Sequence, residues 1–226
     1  MRFYVALAIL GVALVPAVAQ AQADVPIRTL RAIERDFPRD HRAIEPVPAG
    51  KRPEEARQTA YAAIDAFLRQ HRDAILAAPG SALVAIEGRI AALLRTFERN
   101  DVGLCATLGD RGLFSSEALA VAAPPGLDDF GVALVEAAKA GGNTSLGSQG
   151  ATKEDFLGWL SAAEGIEPDV PIRAVLVDPE LRKRSRPDQL CRGAAAMHEA
   201  VARLPPGQRE RIARTLLGSV IGSAKP

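Results

Sequence analysis

With 28 basic and 27 acidic side chains in 226 residues the chain is formally almost neutral, which argues against a general binder of nucleic acid or other polyanions. Its length suffices for one sizeable core or two small ones. Past the first residues, no segment is apolar for long enough to span a bilayer.

The N-terminus sets the expected compartment. Arg2 is a minimal positive n-region, Phe3 to Val15 is apolar and free of charge, and Pro16 breaks the run. Ala21-Gln22-Ala23 then supplies the small residues that a signal peptidase needs. The pattern predicts a signal peptide over residues 1–23, against the alternatives of a cut after Ala19 or an uncleaved anchor. Removing 23 of 226 residues leaves about 203. Arg2 leaves with the signal, so 27 charges of each sign remain. Arginine far outnumbers lysine, which together with abundant alanine suggests a GC-rich bacterial genome and hence the periplasm or the exterior. Two cysteines in an exported chain predict one disulfide, Cys105 to Cys191. The absence of a C-x-x-C pair argues against a redox role.

Asp24 to Ile44 reads as a short amphipathic helix with Ile27, Leu30, Ile33 and Phe37 on one stripe, interrupted and restarted at Pro38. Residues 45–50 form a Pro-rich linker. A long helix starts at Pro53, with Glu54 and Glu55 in its first turn and a seam of Tyr61, Ile64, Leu68, His71 and Ile75. A turn over 77–81 leads to the central helix, 81–99, with Ser81 as its expected N-cap. There Leu83, Ile86, Ile90, Leu93 and Phe97 step by three and four, while Glu87, Arg89, Arg95, Glu98 and Arg99 fall off the seam onto an expected wet face. The two helices are expected to pair as an antiparallel hairpin.

Residues 100–112 read as a loop carrying Cys105, and 116–122 as a short helix. Another helix follows from about Asp128 and fades at Gly141-Gly142. Residues 141–151, polar and rich in glycine and serine, are the expected mobile loop. Thr152 to Asp155 has the form of a capping box opening a helix to Gly165. Ile172 to Val177 is the only strand-like stretch, read as a short helix or an extended crossing, and Asp178-Pro179 starts a further turn. Asp188 is expected to cap a helix through Leu204, paired with a last helix carrying Ile212, Leu216 and Val220.

Motifs for chemistry are sparse. A Gly-x-Ser-x-Gly elbow around Ser145 fails at Asn143, and the P-loop spacing of Gly142 to Gly147 lacks its lysine, Ser148 standing there. His41, His71 and His198 are scattered, so no metal or other cofactor is expected; His71, on an apolar seam, reads as a hydrogen-bonded core histidine. Asp36, Asp40 and His41 form the densest titratable set and are the catalytic candidates, if any; otherwise they are caps and ion-pair partners at a helix junction. Arg182, Lys183, Arg184 and Arg186 form the only basic run, open to contact with an anionic surface.

The reading is an all-α fold: an irregular bundle of helical hairpins with seven to nine helices and one disulfide, in a single domain over residues 24–226. The expected function is contact with another envelope protein, as an inhibitor, immunity-type protein, adaptor or chaperone, and the protein is read as leaning away from enzymes. The alternative is a periplasmic hydrolase with a carboxylate–histidine site.

Overall fold

The computed structural model describes residues 27–44, 53–111, 126–142, 144 and 150–222. The expected signal peptide, the 45–50 linker, the 116–122 helix and most of the 141–151 loop lie outside these residues. The described residues hold twelve helices and no strand, so the all-α class stands and the helix number exceeds the expected seven to nine. They are α1 (Ile27–Asp36), α2 (Pro38–Ala43), α3 (Pro53–Gln70), α4 (Arg72–Leu76), α5 (Gly80–Asn100) and α6 (Val102–Arg111), then α7 (Leu127–Gly141), α8 (Lys153–Ile166), α9 (Ile172–Val177), α10 (Pro179–Arg184), α11 (Pro187–Val201) and α12 (Pro206–Gly222).

Helix α5 is the axis of the packing. Its five seam residues are all buried, each worth about 1.5–3 kcal/mol relative to exposure. The helix packs most extensively on α11, then on α12, α6 and α7. This differs from the expected hairpin: α3 is not among its main partners, and α11 contacts α5 and α6 far more than it contacts α12. Chain adjacency suggested the pairing, whereas burial of several faces of α5 decides it. Glu87 shows the consequence. Expected on the wet face because it is off the five-residue seam, it is fully buried: it lies four residues after Leu83 and three before Ile90, and Glu87, Ala91 and Leu94 form a second buried stripe.

Several helix starts also differ from expectation. Of the expected 100–112 loop, residues 102–111 are helix and 112 lies outside the described residues. Asp101 Oδ1 accepts the Leu104 N–H at 2.9 Å, which serves an orphan donor and starts a new helix. Gly109 sits inside α6 for a packing reason, since a Cβ there would lie 2.7 Å from the Ala194 Cβ of α11. Ser81 is not the cap of α5, because Pro79 holds that position and its carbonyl accepts from Ala82 and Leu83. Asp188 lies in the first turn of α11, behind the N-cap Arg186 and Pro187; proline is preorganised for that first helical position. The same helix ends at Val201, short of Leu204.

The capping box of α8 is present, with Asp155 N–H donating to Thr152 Oγ1 (3.2 Å) and Thr152 N–H to Asp155 Oδ2 (2.9 Å). Asp155 also receives Arg211 of α12 in a two-bond fork, at 2.7 and 2.8 Å. Asp128 of α7 serves the N-terminus of α1 across the fold, accepting from the Arg28 and Thr29 N–H groups at 3.0 and 2.8 Å. Gly141 ends α7 against α4, where a Cβ would fall 1.9 Å from the Ala74 carbonyl oxygen. The Cys105–Cys191 disulfide is formed, with a Cα separation of 5.2 Å, and joins α6 to α11 beside α5.

Candidate functional site

Three features of the described residues have chemical content: a cleft between α2 and α3, a polar seam between α5 and α11, and a corner formed by α9 and α10.

The cleft follows from the spacing of α3. Thr59, Ala62, Ala63, Ala66 and Gln70 recur at helical intervals and form one wall, and Asp40 and Ala43 of α2 with its C-cap Ile44 face them across a recess of about 440 Å3. Pro38 opens α2, which places Asp40 in its first turn. The Asp40 carboxylate accepts from Gln70 Nε2 and from His71 Nε2, both at 3.0 Å. The His71 ring packs against both Phe37 and Phe67, with centroid separations of 4.7 and 4.4 Å. Phe37 and Phe67 meet edge to face at 5.0 Å, so rings and carboxylate together fix the imidazole.

The seam contains a second carboxylate–histidine pair. His198 Nδ1 lies 2.5 Å from Glu87 Oε2, while Glu87 Oε1 is buried without a hydrogen-bond partner. Burial pushes the Glu87 carboxyl above its ordinary range, and His198 opposes that rise. Two turns along α5, Arg95 forks onto Glu199 at 2.8 and 3.1 Å and also meets Glu98 (2.8 Å) and Glu167 (2.9 Å). Glu167 takes Arg192 as well, with Nε donating at 2.8 Å. Burial alone would raise the Glu167 carboxyl, but the Arg192 and Arg95 bonds outweigh it and the net shift is downward. This network ties α5, the C-cap of α8 and α11 together. Trp159 adds a bond from Nε1 to the Met197 carbonyl at 2.7 Å.

At the corner, Val170, Ile172, Val175, Leu176 and Met197 line an apolar recess of about 170 Å3. Val177, at the tip of α9, is 75% exposed. Asp178 caps α10 through bonds from the Glu180 and Leu181 N–H groups. The basic run is partly spent locally: Arg182 donates to the Val175 and Leu176 carbonyls, Lys183 pairs with Glu180, and Arg186 with Asp188. Arg184 stays exposed.

The sequence-derived catalytic set does not assemble. Asp36 pairs with Arg35 and Lys139, and their hydrogen bonds lower its carboxyl to about 2. Asp40 pairs with His71 from the α3–α4 junction instead of the adjacent His41. His71, expected in the core, is half-buried at the edge of that junction. Sequence reasoning missed both carboxylate–histidine pairs because each joins residues 31 or 111 positions apart; the one available signal was the second apolar stripe running through Glu87. Among the described residues no group of three or more His, Cys, Asp or Glu could hold a metal ion, and no helix is long and apolar enough to cross a membrane. No family model, curated protein or solved structure matches the chain.

Proposed function

We propose that the protein is exported to the bacterial envelope and acts there by contact with another protein, in the broad class of inhibitors, immunity-type proteins, adaptors and chaperones. The α9–α10 corner carries this reading. The corner has an apolar recess lined by Leu176 and Arg182, with Val177 75% exposed on α9 and Arg184 exposed on α10, features that suit a partner segment with apolar and acidic side chains. The signal-like N-terminus and the formed disulfide support export. Rigid support comes from the disulfide and the Arg95 network, which hold α11, one wall of the recess, against α5. The test is affinity capture of the mature protein from its own envelope extract, with Val177→Glu and Arg184→Glu as paired baits. A partner retained by the parent and lost with both variants supports the reading; a partner list unchanged by either variant refutes it.

A second reading, a hydrolase, draws on Asp40 and His71 meeting at the rim of the α2–α3 cleft, where a carboxylate-oriented imidazole is a general-base arrangement. Turnover of a chromogenic ester panel that is abolished by His71→Gln, with the fold retained, would establish it.

A further inference from the structure

We propose that the α2–α3 cleft is a binding site for a small aliphatic ammonium compound. Its charged nitrogen bonds Asp40, and its carbon chain lies on the floor of Ala62, Ala63 and Ala66. The recess, at about 440 Å3, falls within the roughly 300–1,000 Å3 of small-molecule pockets. Among the described residues, Asp40 is the sole ionisable side chain in its lining. Arg39 and Arg42 belong to the same short helix but are exposed and outside the lining.

The carboxylate is prepared for a cation. It offers about four acceptor positions; Gln70 and His71 use one each, which fixes the group while leaving acceptor capacity toward the cleft. His71 is itself packed against Phe37 and Phe67, so the carboxylate does not have to be ordered when a ligand arrives. The alanine surface is apolar and consists of methyl groups, with Ala63 half-buried and Ala62 and Ala66 exposed, and a larger side chain at Ala63 would narrow the recess. An alkylammonium ion satisfies both surfaces, with a charge-assisted bond at the head and apolar burial along the chain. An alkyl carboxylate would bring its charge against Asp40, and no described residue of the lining is a cation to meet it. This site is separate from the α9–α10 corner, and its test is independent of the protein-contact reading.

The experiment is calorimetric titration of the oxidised mature chain with n-hexylammonium chloride, with n-hexanol and sodium n-hexanoate as comparisons. The expected result is saturable binding of hexylammonium, at least about tenfold weaker binding of hexanol, and none of hexanoate. Asp40→Asn should weaken hexylammonium about tenfold or more, and Ala63→Leu should weaken it by narrowing the recess. Comparable binding of all three compounds, no binding of hexylammonium, or undiminished binding in a folded Asp40→Asn variant overturns the proposal. If Asp40→Asn fails to fold, Ala63→Leu and the charge series decide. A lysine-bearing peptide that binds where hexylammonium does not would assign the cleft to a protein partner and also overturn it.

Discussion

Replacing Cys105 and Cys191 by alanine, singly and together, probes the clamp between α6 and α11. The bond joins residues 86 apart in sequence. In the chain-entropy account a loop of that length constrains the unfolded chain by about 4.6 kcal/mol at 25 °C. That figure is a ceiling, because local helical structure persisting in the unfolded chain reduces the freedom the bond removes. The expected loss is therefore about 2–4 kcal/mol. Both sulfurs are fully buried, and alanine keeps the site apolar without adding an unpaired hydroxyl. Each single variant removes the same bond, so the singles and the double should lose similar amounts. Denaturant unfolding followed by circular dichroism, without reductant, gives the comparison, and helical signal should persist in all variants at low temperature. A double variant with the parent's midpoint, or two titratable thiols in denatured, unreduced parent, would refute the reasoning.

Glu87 has its carboxyl raised by burial from an ordinary 4.5, so its favourable contribution is complete below that value and is lost as pH rises through the raised one. Glu87→Gln should thus gain stability relative to the parent as pH climbs from 4 to 8, read from denaturant midpoints; a constant difference contradicts this. Asp36 behaves oppositely. Its carboxyl is lowered from 3.8 to about 2, so the parent's advantage over Asp36→Asn is present above 3.8 and should vanish as pH falls through 2. Gly88, exposed within α5 with open space around its Cβ position, should yield about 0.5–1 kcal/mol of stability when changed to alanine. The same change at Gly141, against the Ala74 carbonyl, should cost about 1–3 kcal/mol in thermal or chemical unfolding.

The parts of the fold visible in the sequence were those set by local chemistry. The α5 seam, the Thr152 capping box, the proline starts of α2, α3 and α10, and the two-cysteine count each have a short-range physical cause, and the structure bears them out. What escaped depends on tertiary packing. Gly109 falls in the stretch read as a loop, yet it lies inside α6, where α11 comes too close for a side chain. Glu87 looked solvated because a single stripe was counted on a helix that is covered on several sides. The site was less legible than the fold. Asp40 was visible as a candidate, but its partner was sought next door at His41 rather than at His71 on another helix, and no spacing rule connects Glu87 to His198.

The α9–α10 corner is the proposed contact surface of an exported protein. A photo-crosslinking amino acid placed at position 177 in the producing cell, with position 54 on the exposed face of α3 as the comparison, examines it directly. The prediction is a discrete adduct of constant mass from position 177, recovered from the envelope fraction on a chain beginning at Asp24, weakened by Arg184→Glu and absent from position 54. Equal labelling at the two positions, or no adduct at 177, would contradict the proposed function.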